Sequence, residues 1–318
     1  MKEFHILFTG VGRRVELIQA FHQAALHLGI KLKLYGADMA GTAPALTFCD
    51  YTRKVCGMRD ENYIPQLLDI CAADYIDLLI PTIDTDLLIL SKNTERFEKI
   101  GTKVLISKPD KIAICRDKNC TADFFESCGL KAPRTGNDYQ LYHGPYPCFI
   151  KPKDGSSSIN TFKVENDFEL EIYAEQVGDY IVQPFVSGRE YAIDIFCDFD
   201  VDGNPIFITP RERVQIRAGE VLKTQICNDD VMIAESIKLI EGFKPCGPMT
   251  VQLIRDEQTN DDYFIEINPR YGGGAPLSMK SGARSAEALL KLLSGEKVDY
   301  QEKTSYNGAI YSRFDQSV

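Results

Sequence analysis

Gln252, Glu266, Asn268 and Arg270 lie within one stretch, Gly247 to Gly274, of a 318-residue chain. Thr250 to Arg255 and Tyr263 to Asn268 are apolar-rich, and the residues between them are mostly Asp, Glu, Asn, Gln and Thr. That pattern predicts a β-hairpin. Side chains alternate along a strand, so Glu266 and Asn268 share a face. Pairing Ile254 with Phe264 would set Gln252 opposite Glu266 on that face. Hard oxygen donors on a rigid hairpin suit Mg²⁺, which keeps waters and binds substrate phosphates through one or two carboxylates. Arg270 beside them can neutralise a phosphate. The same run also reads as an amphipathic hairpin with a polar outer face.

Other chemistry-bearing groups stand upstream. Lys151 ends a short apolar run, Pro147 to Pro152, and Lys153 to Ser158 follows as a turn of small hydrogen-bonding residues. A strand, a Gly/Ser loop and a returning strand at Phe162 to Val164 can fold over phosphates and offer backbone amides. It is not a P-loop, because no Gly-Lys-Ser or Gly-Lys-Thr leads into a helix. Gln183-Pro184-Phe185-Val186 contains a proline that bars full inner-strand pairing. It reads as an extended linker whose free backbone groups suit an adenine edge. Arg211, Arg213, Arg217 and Lys223 form a local basic group suited to polyphosphate or carboxylate, or simply a solvated basic face. Asp84 and Asp86 follow a strand, where ligands of open α/β sheets bind. Either could meet an amino group or hydroxyl, or cap the next helix.

The elements that position these groups begin with a β-α-β unit. His5 to Thr9 reads as a strand and Gly10-Val11-Gly12 as a turn. Val15, Ile18, Phe21, Ala25 and Leu28 recur at helical spacing, and Lys31 to Ala37 is a strand ending at Asp38. The dinucleotide fingerprint is incomplete, with Val15 at its third glycine position. Helices at Tyr63 to Ala73 and Leu87 to Phe97 alternate with strands at Leu78 to Ile80 and Val104 to Ile106. The expected class is α/β, with a doubly wound parallel sheet first. A pattern change near Lys108-Pro109-Asp110 sets the first boundary, dividing the chain into 1–108, 109–182 and 183–318. Lys297 to Val318 carries only a strand-like run, Tyr306 to Phe314.

Composition narrows the function. Hydrophobic residues make up 44% and charged residues 26%, with a net charge of −10 and no long basic run. Nucleic acid is not an expected partner, since backbone binding needs clustered Lys and Arg. No apolar run reaches the ~18 residues of a membrane span, and the N-terminus has no signal-peptide layout. A cytoplasmic location without membrane association is expected. The ten cysteines are scattered and the histidines number four, so zinc and cysteine-nucleophile chemistry have little support.

Taken in order, these pieces resemble the ATP-grasp superfamily from Phe4 to about Leu293, and most closely one synthetase unit of the carbamoyl-phosphate synthase large chain. The resemblance implies an N-terminal α/β domain followed by a two-lobed α+β ATP-grasp domain: a small lobe with a lid (109–182) and a C-terminal lobe with the Mg/ATP site (183–318). It implies that Lys118 and Lys151 hold ATP phosphates and that Gly155, Ser156, Ser157 and Ser158 close over them. Gln183, Pro184, Phe185 and Val186 would line adenine, and Glu190 would bind the ribose. Gln252, Glu266 and Asn268 would ligate Mg²⁺, with Mn²⁺ as a substitute, and Arg270 with Lys151 would act on the transferring phosphate. Many members have an acid where this chain has Gln252; the carbamoyl-phosphate type has glutamine. That enzyme also has two synthetase halves, so carbamoyl phosphate is not the expected product. The implied activity is ATP-dependent ligation of a small carboxylic acid to an amine or other nucleophile, with homodimerisation left open. Asp84, Arg213, Arg217 and Gly273 are the substrate-side candidates. The rival readings are a nucleotide-binding regulator without turnover and a nicotinamide-dependent oxidoreductase using the N-terminal turn.

Overall fold

A computed structural model describes residues 3–153, 159–199 and 203–318. The chain starts with β1 (Glu3–Thr9), α1 (Val15–Leu28), β2 (Lys31–Asp38), β3 (Tyr51–Lys54), α2 (Tyr63–Ala73), β4 (Leu78–Pro81), α3 (Leu87–Ser91), α4 (Thr94–Glu98) and β5 (Lys103–Val104). The strands form a parallel sheet in the order β3-β2-β1-β4-β5. Strand order reverses between β1 and β4, so their carboxyl ends open a crevice. Helix α1 buries Leu17, Ile18, Phe21, Ala24 and Ala25 and ends at Gly29 in the left-handed region. The expected Leu87 to Phe97 helix is two short helices, broken where the Asn93 side chain donates to the Ile89 carbonyl.

The glycine turn after β1 closes on itself. Gly10 and Gly12 have φ of 61° and 43°. The Gly12 amide donates to Asp38 (2.8 Å), the acid that would face a ribose in a dinucleotide site.

Next come α5 (Pro109–Arg116), α6 (Lys118–Ser127), β6 (Cys148–Pro152), β7 (Phe162–Val164), α7 (Asp167–Val177) and β8 (Tyr180–Pro184). Helix α5 was not expected; it buries only Ile112, so its apolar periodicity is faint. Asp117 caps α6 by accepting from the Asn119 and Cys120 amides. Strands β7-β6-β8 form a small antiparallel sheet with its own core around Cys148, Ile150, Val164 and Val182. Gln183 and Pro184 are thus the end of an edge strand paired with β6, and the extended linker starts only after them. An edge is where proline is tolerated.

The remainder is β9 (Gly188–Cys197), β10 (Pro205–Arg217), β11 (Glu220–Ile226), α8 (Asp230–Phe243), β12 (Pro248–Asp256), β13 (Asp262–Asn268), α9 (Ala275–Ser281), α10 (Ser285–Leu293) and β14 (Ile310–Ser312). They build a six-stranded antiparallel sheet ordered β13-β12-β9-β10-β11-β14. One face carries Ile193, Ile195, Ile208, Val251, Leu253, Phe264 and Ile267, packed with residues of α6 and α8. The other face is polar where Asp194, Arg211, Gln252 and Glu266 stand and apolar at Phe196 and Phe207, which pack with residues of α1 and α10. The tail closes the sheet through β14 on β11.

The expected hairpin forms, with one correction to its register. Gln252 does lie opposite Glu266, but Phe264 pairs with Leu253, and Ile254 pairs with Tyr263. A bulge at Ile265 separates the two registers. Phe264 therefore faces the core beside Phe125 (5.2 Å between rings), while Glu266 faces the polar side. In an unbroken strand the two would share a face.

Tyr271, just after Arg270, packs between Phe21 of α1 (6.1 Å) and Phe196 of β9 (6.3 Å). This joins the parallel and antiparallel sheets through one core. Among the described residues no helix is long and apolar enough to cross a membrane.

Gly188 offers a test of the β9–β12 pairing. A Cβ there would run into the Arg255 carbonyl, which is backbone and cannot swing away, whereas Gly41 has open space. Gly188→Ala is expected to lower unfolding free energy by about 1–3 kcal/mol in urea titration, with Gly41→Ala close to wild type.

Candidate active site

The polar face of the large sheet, the small sheet and the crevice of the parallel sheet enclose a cavity of about 650 Å³. Gln252, Glu266, Asn268 and Arg270 line one wall. Register explains their convergence. Thr250 pairs with Asn268 and Asp194, and Gln252 with Glu266 and Ala192, so side chains of neighbouring strands form rows across the sheet. The Asn268 amide oxygen accepts from Arg270 (3.1 Å), and Arg270 also pairs with Asp84 from the loop after β4. Among the described residues no three His, Cys, Asp or Glu gather at one point. The oxygen set is one carboxylate and two amides.

Lys118 and Lys151 line the same cavity, and Lys118 also borders a small pocket with Glu266 and Asn268. Lys118 stands at the start of α6 and donates to the Lys153 carbonyl (3.3 Å). Lys151 closes β6 and is 6% exposed. Burial, then the neighbouring Lys118 charge, pushes its ammonium down to about 8. Gln183, Pro184, Phe185 and Val186 line the cavity with Phe149, Ile254 and Ile265, forming an apolar slot between the two antiparallel sheets. Gly155, Ser156, Ser157 and Ser158 lie outside the described residues.

Arg213 enters the cavity with its guanidinium already engaged. It donates to Glu190 (2.9 Å), to Gln252 (2.8 Å) and to the Gly219 carbonyl (2.7 Å). Arg213 thus orders Glu190 and Gln252 and has little left for a substrate acid. Arg217, the other arginine expected to meet substrate, does not line the cavity. It pairs outside with Asp315 (2.8 Å). Register shifts between Glu212, Gln215 and Ile216 break the alternation that would have kept it beside Arg211 and Arg213.

Asp84 and Gly273 both line the cavity. Neither Asp84 nor Asp86 caps α3 through its side chain. Asp86 is fully buried, accepts from Tyr63 (2.8 Å) and Thr9 (3.2 Å), and burial pushes it up to about 6.

Two further arginines enter the site, one of them, Arg211, from the basic group expected to suit polyphosphate or carboxylate. Arg14 reaches the cavity from the turn before α1. Arg211 of β10 donates to Asp194 (2.7 Å), which also accepts from Thr250 (2.8 Å) and Ser278 (2.6 Å). Asp194 is thereby a buried hub joining β9, β10, β12 and α9. The Arg-rich run in β10 puts Arg211 within that basic group, and the cavity includes it. Arg14 had only its place after the glycine turn.

With this geometry in view, the comparisons with known proteins are specific. Residues 115–274, about half of the chain, match the ATP-grasp domain. The chain belongs to the ATP-grasp family. Ahead of that region, residues 6–105 match the PylC-like N-terminal domain. The fold is similar to the biotin carboxylase of Campylobacter jejuni in its β,γ-ATP complex, with a TM-score of 0.76 at 19% identity, over 96% of this chain and 74% of that one. It is also similar to the biotin carboxylase domain of Hydrogenobacter thermophilus 2-oxoglutarate carboxylase, a dimer with MgADP, ADP and bicarbonate (0.76, 16%, covering 96% and 73%). A third similar structure is the L-amino acid ligase of Bacillus licheniformis (0.72, 17%, covering 93% and 77%).

Asp194→Ala would strand the buried Arg211 charge. Breaking such a pair costs about 3–5 kcal/mol, so a loss of that size in urea-induced unfolding is expected. An unchanged midpoint would show that Asp194 is not the hub.

Proposed function

We propose that the chain is an ATP- and Mg²⁺-dependent ligase that activates a carboxylic acid as an acylphosphate and joins it to an amine or other nucleophile. One observation carries this reading: a single cavity gathers two lysines, an oxygen trio and an arginine, with an apolar slot beside them. In this reading Lys118 and Lys151 hold phosphates, Gln183 to Val186 lie along adenine, and Glu190 takes the ribose hydroxyls. The donors fit Mg²⁺: one carboxylate and two amide oxygens leave room for water and phosphate oxygens. Glu266, Gln252 and Asn268 would hold it, and bound there it supplies charge neutralisation at the phosphates. The unsatisfied Arg270 Nε fits a role toward an anion.

The chemistry asks mainly for positioning. An oxygen of the acid attacks the γ-phosphorus in line and ADP leaves. The bound nucleophile then adds to the acyl carbon and phosphate departs. Lys151 and Arg270 face the charge that develops on the transferring group. The division at residues 108 and 182 belongs to the same proposal: the first part forms the crevice, the second most of the small sheet, whose strand β8 runs past 182 to Pro184, and the third the wall with Glu266.

The deciding experiment is a panel of acids and amines read by ADP release and by mass spectrometry of products. Glu266→Ala and Arg270→Ala are each expected to lower ADP release about 10²–10³-fold on the active pair. Nucleotide binding without ADP release across the panel would instead mark a binding protein without turnover.

Lys151 sets a pH dependence. Its ammonium is charged below about 8 and lost above it. ATP affinity is therefore expected to fall about tenfold between pH 7 and pH 9 in calorimetric titration. Lys151→Arg, whose charge persists, is expected to flatten that profile.

A further inference from the structure

We propose that the acid taken by this cavity carries a second carboxylate, held by Arg14 and Arg211 at the Gly272-Gly273-Gly274 turn. The inference rests on the ligase reading and narrows its substrate to short dicarboxylic acids.

Arg14 is largely enclosed, yet among the described residues its one ion pair is a loose one. Its nearest carboxylate is Glu220 at 3.9 Å, and its contact with the Thr82 carbonyl is a long 3.4 Å. Glu220 is shared with Arg313 at 3.3 Å. Arg211 is 2% exposed. Its Nε and Nη2 face Asp194, while its buried Nη1 has no hydrogen-bond partner among the described residues. Two guanidinium groups thus line one cavity with bonding capacity unmet. A buried donor left unmatched is costly, and a guanidinium fork is matched by a planar carboxylate.

The glycine turn brings the two together. A Cβ on Gly273 would meet the Glu220 carboxylate first, then Arg14 Nη1 at 2.7 Å, and one on Gly274 would collide with the Arg211 guanidinium. Neither glycine has a left-handed φ, so backbone conformation does not require glycine there; space beside the two arginines and Glu220 does. Arg270 precedes this turn and is engaged by Asp84 and Asn268, on the side of the oxygen trio. A reacting carboxylate near Arg270 then leaves Arg14 and Arg211 for the distal one. Burial, followed by the Arg270 charge, holds Arg14 down at about 10, and a bound carboxylate would relieve both effects.

The test titrates the full chain, with and without Mg²⁺ and a non-hydrolysable ATP analogue, using malonate, succinate and glutarate. Acetate, propionate and butyrate are matched monocarboxylates, and inorganic phosphate is a further arm. At least one dicarboxylate is expected to bind about tenfold or more tightly than every monocarboxylate. Arg14→Gln is expected to erase that preference while nucleotide affinity stays within about twofold. Gly273→Ala, which crowds Arg14 together with its neighbour Glu220 and removes no charge, is expected to weaken the dicarboxylate in the same way. No binding of any dicarboxylate, equal affinity for both acid classes, or a preference that survives Arg14→Gln would overturn the proposal. Phosphate binding more tightly than every dicarboxylate would also overturn it. Retained dicarboxylate preference without any nucleotide binding would overturn the ligase reading alone.

Discussion

The large antiparallel sheet has two incompatible faces, and each residue of β9, β10, β12 and β13 must keep to its own. Ile193, Val251, Leu253 and Phe264 are buried against helices, while Gln252, Glu266 and Asn268 face the cavity. A slip of one residue would send a carboxylate into the core and a phenyl ring into the cavity. The Ile265 bulge is therefore essential to the hairpin's chemistry. Without it, Phe264 and Glu266 would demand the same face.

Charge is arranged in the same economical way. The cavity draws arginines from three separate parts of the chain, and most are set against a carboxylate. Arg211 has Asp194, Arg213 has Glu190, and Arg270 has Asp84. Such pairs hold side chains in place more than they add stability, because desolvation offsets much of the attraction. Their value is orientation: Gln252 and Asn268 each have an amide oxygen fixed by a guanidinium donor. Glu220 shows the competing forces. Burial raises its proton affinity, but Arg14 and Arg313 more than reverse that, and it lies below the usual carboxylate range.

Much of this was legible from sequence wherever the signal was local. The first β-α-β unit, the Tyr63–Ala73 helix and the Phe162–Val164 strand are periodic or bounded by turn residues, and they form as expected. Lys151, the Gln183 to Val186 segment and the Glu266 to Arg270 run are short contiguous patterns that the fold brings to one cavity. What sequence hid was parity and distance. Arg217 looks equivalent to Arg211 until the irregular end of β10 turns it outward. Arg14 gains meaning only when its turn meets Gly273, some 260 positions later. Asp84 was open between a helix cap and a ligand group, because Asp before a helix often caps it; its carboxylate meets Arg270 at the cavity.

Tyr271 clamps the cavity unevenly. Wedged between Phe21 and Phe196, it ties the Arg270 loop to both large sheets through one continuous core. The small β6–β8 sheet has a core of its own and, among the described residues, no comparable aromatic seam. Moving the first pair apart would unpack buried rings; tilting the small sheet would not. The cavity is thus built like a jaw with one fixed side, and the mechanical compliance needed to admit and release a bulky ligand belongs to the side that carries Lys151.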